Sequence, residues 1–170
     1  EGLARGLAWM NASAFNAGKS EVEEVTRLAM ELLRKSEFQE LISEATSIQR
    51  ELPCSVPLNH LPQVPSEDGG YLEGNIDLFL KRRQGIQILD YKTDKVEAGD
   101  AEEAARRYWP QLALYGLAAR ECIQSMNEIE LIICFVRPGR LVRHPLDRTL
   151  LEQVTPIDME ISSTDAHTLG

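Results

Sequence analysis

Cysteine is scarce in this sequence: three in 170 residues, at positions 54, 122 and 134, with no CxxC spacing. Three thiols cannot all pair. That argues against a disulfide scaffold, a structural zinc site and an iron–sulfur cluster, and it favours a reducing, cytoplasmic setting. Long apolar runs are missing too, so no membrane span is expected. Positive charge is in deficit, with 18 Lys+Arg against 27 Asp+Glu and a net charge of -9. A domain that coats nucleic acid electrostatically is usually basic, so that class is disfavoured, although a local basic groove stays open. No GxxxxGK[ST] string occurs, so any ATP hydrolysis would belong to other sequence or to a partner. The chain opens on Glu1 without a charged-then-apolar leader, which reads as a soluble piece of a longer polypeptide.

What is present reads as one domain over 1–152 and an acidic, loosely ordered tail over 153–170. Ser20 followed by Glu23 has capping-box spacing. Val22, Val25, Leu28, Ala29, Leu32 and Leu33 then recur at helical intervals to about Lys35. A second helical piece is expected over Glu37–Ala45, and a strand carrying Glu51 over Ser47–Val56. Four of the eight prolines and two glycines mark 53–71 as a loop. Tyr71–Lys81 and Gly85–Lys92 alternate and read as a β-hairpin, with Ile76, Leu78 and Leu80 on one face. Asp100 starts a helical segment that bends or restarts at Pro110 and continues to about Gln124. Ile129–Val136 is a buried central strand and Leu141–Leu146 an edge strand. The order predicts an α/β domain with a mixed sheet flanked by helices.

The chemistry is expected on the hairpin. Residues two apart on a strand share a face, so Asp90 and Lys92 project together. If Lys81 pairs with Ile86, every cross-strand pair sums to 167 and Asp77 lies opposite Asp90. Facing carboxylates are destabilising unless something positive sits between them. A hard divalent cation, Mg²⁺ or Mn²⁺, suits such oxygens, with the backbone carbonyl of Tyr91 as a third ligand. Lys92 could then position a water or neutralise charge on a scissile phosphate, the equipment of metal-assisted phosphodiester hydrolysis. A lone D-x-K is more often an ion pair on a solvated face, and the matched Asp77 is what favours the catalytic reading. Gln111 and Tyr115, spaced i, i+4, share one helix face and could bind phosphate oxygens or support Lys92. Lys81-Arg82-Arg83, Arg106-Arg107, Arg137, Arg140, Arg143 and Arg148 are basic spots. Arg82 and Arg83 at the hairpin tip are the expected substrate contacts.

The strings EGNIDLFL, IQILDYKTDKV and YWPQLALYGLA together resemble the PD-(D/E)XK nuclease domain of helicase–nucleases of the RecB/AddA type, with the AddA side closer. Arg50-Glu51-Leu52-Pro53 is similar to a strand motif of that family, and the resemblance spans about Arg50 to Val136. It implies a restriction-endonuclease-like core, Asp77 and Asp90 as metal ligands, Lys92 as the catalytic lysine, and Gln111 and Tyr115 as a Q-x-x-x-Y motif near the DNA backbone. Glu51 would be a structural or auxiliary acid. A metal-dependent exonuclease domain working beside a helicase in double-strand-break repair is the function implied. The alternative is a degenerate nuclease fold kept for DNA binding or subunit docking. The family's G-x-x-x-H motif is not found here: His60 sits in the Pro-rich stretch, and His144 and His167 lie far downstream.

Overall fold

The computed structural model describes residues 19–60, 70–123 and 128–154. The acidic tail from 155 onward, His167 and the first eighteen residues lie outside that range.

Helix α1 (Lys19–Arg34) begins one residue before the expected cap, and its Leu28, Ala29 and Leu32 are buried. Helix α2 (Ser36–Ser43) adds Phe38 and Leu41. Five strands follow: β1 (Ser47–Pro57), β2 (Tyr71–Lys81), β3 (Ile86–Lys92), β4 (Ile129–Phe135) and β5 (Arg140–Pro145). They lie side by side in chain order. All neighbours are antiparallel except β3 and β4. A parallel pair needs a long crossover. Here it is helix α3 (Ala101–Ala105), a 3₁₀ turn (Arg106–Tyr108) and helix α4 (Trp109–Ile123). The 3₁₀ turn and the restart at Trp109 fit Pro110, whose ring cannot sit inside an uninterrupted α-helix.

The sheet separates two cores. On one side Leu32, Phe38 and Leu41 of α1 and α2 meet Leu78, Leu80, Leu89 and Ile132. On the other, α4 packs Leu112, Leu114 and Ala118 against Ile86, Ile88, Leu131 and Ile133. The mixed sheet between helical layers, the buried β4 and the edge position of β5 follow the reading of the sequence.

Three local expectations change. The stretch from Pro53 to Pro57 is strand, not loop. An edge strand has one backbone side free, so it tolerates residues that lack an N–H. Second, Ile76 does not share a face with Leu78 and Leu80: it belongs to the α4 core, while they face α2. The alternation of β2 therefore breaks at Asp77. β1 breaks at the matching place, since Leu52 also packs on the α4 side and Glu51, between paired Arg50 and Leu52, has φ 48°. Third, a short helix, α5 (Arg148–Gln153), ends the described chain; its N-cap Asp147 accepts from the Leu150 N–H at 2.8 Å, and Leu150 and Val154 join the core.

Candidate active site

β3 carries its apolar Ile86 and Ile88 to the α4 side, and the same alternation brings Asp90 and Lys92 there. Asp90 is 5% exposed. Lys92 Nζ stands 2.8 Å from Asp90 Oδ2. It also donates to Gln111 Oε1 at 3.3 Å. Gln111 Nε2 in turn donates to the Tyr115 hydroxyl at 3.1 Å. The i, i+4 pair on α4 thus reaches the lysine as a relay, amide to ammonium and phenol to amide.

Asp77 arrives differently. The β2–β3 pairs run from Lys81↔Ile86 to Leu78↔Leu89, the expected sum of 167, and the ladder stops just before Asp77. There the Asp77 side chain replaces the lost backbone partner: its Oδ2 accepts from the Tyr91 N–H at 2.8 Å. Burial, and next the charge of Asp90, lift the Asp77 carboxyl to about 7, while the Tyr91 N–H and Lys92 pull it down. The two aspartates therefore repel one another, Asp90 buried and Asp77 half-buried. Glu51 adds to that repulsion, and its own carboxyl is raised by burial.

The glycine of the G-x-I-D string has a steric reason. A Cβ on Gly74 would stand 2.8 Å from Tyr115 Cε1, so only glycine lets the ring lie against β2. Burial pushes the Tyr115 phenol well above its ordinary range, and it stays a neutral hydroxyl.

One neighbour of the site was not anticipated. The Tyr108 ring lies under Lys92, with the ammonium 4.5 Å from its centroid. Its spacing from Gln111 and Tyr115 (i, i+3, i+7) was the available signal. Arg82 and Arg83, by contrast, are not brought to the site. They occupy the turn at the opposite end of the hairpin. Arg82 is committed to Glu44, to Gln87 Oε1 at 2.5 Å and to the Leu41 carbonyl at 3.3 Å. That placement makes Arg82 a tie between α2 and the sheet rather than a substrate contact. His144 stacks near Trp109, 5.3 Å between centroids, on the far edge.

Among the described residues no three His, Cys, Asp or Glu side chains converge as a metal-binding group. A buried and a half-buried carboxylate that repel one another nevertheless suit a hard divalent cation. Mg²⁺ is commonly held by one or two carboxylates and completed by water and substrate phosphates.

A profile of the PD-(D/E)XK nuclease superfamily matches residues 4–165. The chain belongs to the PD-(D/E)XK nuclease superfamily. Relatives include an ATP-dependent helicase/nuclease subunit from Thermoanaerobacter sp. strain X514, 29% identical over 106 residues, which are 59% of this chain and 9% of that protein. The protein of the same name from Pelotomaculum thermopropionicum is 34% identical over 102 residues, 56% of this chain and 8% of the relative. This nuclease-superfamily chain thus spans less than a tenth of the length of those relatives. A solved structure, that of a candidate exonuclease from Eubacterium rectale, matches with a TM-score of 0.50 at 12% identity over 89% of this chain and 54% of the other. It supports the restriction-endonuclease-like fold.

Proposed function

We propose that this chain is the nuclease domain of an ATP-dependent helicase–nuclease, hydrolysing phosphodiester bonds of unwound DNA as a Mg²⁺- or Mn²⁺-dependent exonuclease in double-strand-break repair and recombination. The observation that carries the reading is the mutual repulsion of Asp77 and Asp90 where β2 and β3 part, with the Lys92 ammonium against Asp90. Asp77, Asp90 and the Tyr91 carbonyl are the proposed ligands. A bound divalent cation would polarise a phosphoryl oxygen and lower the pKa of water. Lys92 supplies a positive charge for the scissile phosphate; Gln111 Oε1 accepts from that ammonium, and the Tyr115 hydroxyl steadies Gln111 by accepting from its Nε2. Gln111 and Tyr115 are the proposed contacts to the DNA backbone. The helicase is assigned to a partner or to sequence outside this chain, and the setting to the cytoplasm. No helix among the described residues is long and apolar enough to cross a membrane.

Cleavage of single-stranded DNA with Mg²⁺ or Mn²⁺ tests the assignment. Asp90→Ala and Lys92→Ala should each lose roughly 100-fold or more in rate, as when a charge-stabilising group is removed from a reacting centre. Equal rates for all three proteins would remove it.

A second reading is a degenerate nuclease module that binds DNA or docks another protein. The ion pair already made by Asp90 and the lack of a third converging acid among the described residues favour it. Calorimetric titration with Ca²⁺ or Mn²⁺ separates the two: the nuclease reading expects binding that Asp77→Ala abolishes, whereas a relic takes up no cation there.

A further inference from the structure

We propose that Tyr108 is a positioning residue for Lys92, and that its ring, not its hydroxyl, keeps the ammonium in the site when Asp90 no longer does. The proposal rests on the role of Lys92 given above. Three groups surround Nζ: Asp90 Oδ2 at 2.8 Å, Gln111 Oε1 at 3.3 Å and the Tyr108 ring at 4.5 Å. Only the first carries charge. Were Asp90 to hold a cation, Lys92 would lose that carboxylate as its partner, and its stem has four carbons on which to swing away. The partners that remain are an amide oxygen and a π face. The face of an aromatic ring attracts an ammonium without adding an anion that would repel phosphate.

The ring is itself fixed. The Tyr108 hydroxyl donates to Asp94 Oδ2 at 2.7 Å and accepts from Arg107 Nη2 at 2.6 Å. Arg107 Nη2 also donates to Asp94 Oδ1 at 2.7 Å, which closes the triangle. On β4, Phe135 packs against the ring with centroids 6.2 Å apart. Tyr108 ends the 3₁₀ turn that leads into α4, so ring and Gln111 reach the ammonium from one continuous segment. The hydroxyl triangle anchors the ring, and the ring holds Lys92.

The test reads Lys92 directly. In the cation-free chain labelled with ¹³C-lysine, the ε-methylene of Lys92 (assigned with Lys92→Arg) should lie upfield of the other lysines through the ring current of Tyr108. The shift should persist in Tyr108→Phe and vanish in Tyr108→Leu. In single-strand cleavage, Tyr108→Leu should lower kcat about three- to thirty-fold with KM little moved, and Tyr108→Phe should recover most of that loss. An ordinary Lys92 shift in the unaltered chain overturns the proposal without recourse to any variant. So does a Tyr108→Phe protein as slow as Tyr108→Leu, or a Tyr108→Leu protein as fast as the unaltered chain while Lys92→Ala is inactive. If Lys92→Ala cleaves normally, the catalytic role of Lys92 falls instead, and the resonance still reports whether the ring holds the ammonium.

Discussion

A single carboxyl group at position 77 does two jobs. It completes the hydrogen bonding of β3 where β2 leaves, and, half-buried, it feels the charge of a second acid, Asp90. A carboxyl raised above its unfolded value binds its proton more tightly in the folded chain, so folding stability falls as pH rises from about 4 through 7. Asn at this position keeps an oxygen for the Tyr91 N–H and cannot ionise. In EDTA, Asp77→Asn should flatten that part of the pH profile and exceed the unaltered chain above pH 7 by on the order of 1–3 kcal/mol. Urea denaturation at pH 5 and pH 8 measures it, and parallel profiles for the two proteins would contradict the buried repulsion. Much of this site was legible beforehand. Asp90, Lys92, Gln111 and Tyr115 follow from periods of two and four, which strand and helix geometry dictate. Tyr108 was not legible, because aromatic residues at helical spacing usually fill cores and only the position of Lys92 distinguishes this ring.

At the scale of elements, the informative feature is the paired irregularity in β1 and β2. The hairpin register of 167 was readable because a short turn between alternating strands leaves few choices. The stripe of Ile76, Leu78 and Leu80 was misread for the opposite reason: a period-2 pattern cannot reveal where a strand rotates. Ile76 and Leu78 differ in face because the chain turns at Asp77, and Glu51 across from it turns in a left-handed conformation. That conformation costs a non-glycine residue roughly 1–2 kcal/mol. Glu51→Gly should therefore be more stable than Glu51→Ala by about 1 kcal/mol in chemical denaturation. Identical stabilities would mean that residue 51 adopts ordinary strand geometry in solution. The prolines misled in a similar way: density of Pro marks a loop only where both backbone edges are bonded, and β1 has one edge open.

For the molecule as a whole, the net charge of -9 becomes intelligible from pairing. Most of the basic spots seen in the sequence are met locally by acids. Arg82 meets Glu44, Arg106 meets Glu103, Arg107 meets Asp94, Arg137 meets Glu24, Arg143 meets Glu130, and Arg148 meets Glu152. Arg137 also holds Glu24 below the usual carboxylate range. These six arginines are thereby engaged by the chain's own acids, which weakens them as partners for phosphate. The chain should bind single-stranded DNA weakly, with a log–log salt slope shallower than about -2, equivalent to fewer than about three phosphates neutralised. Fluorescence anisotropy between low and moderate salt checks it, and a steep slope would mean that the paired arginines give up their acids to phosphate or that the other cations suffice.

The outermost strand carries a last consequence. Exposed β-edges invite pairing with a stranger's backbone, and folded proteins blunt them with proline, charge or twist. β1 has proline at 53 and 57, and at Glu51 both a charge and a left-handed turn of the backbone. A would-be fibril partner meets two positions without a donor and a change of direction between the first residues and the rest. The bend that carries an acid toward Asp77 thus also denies self-assembly a template, so straightening it to simplify the strand would trade a working flank for a sticky one.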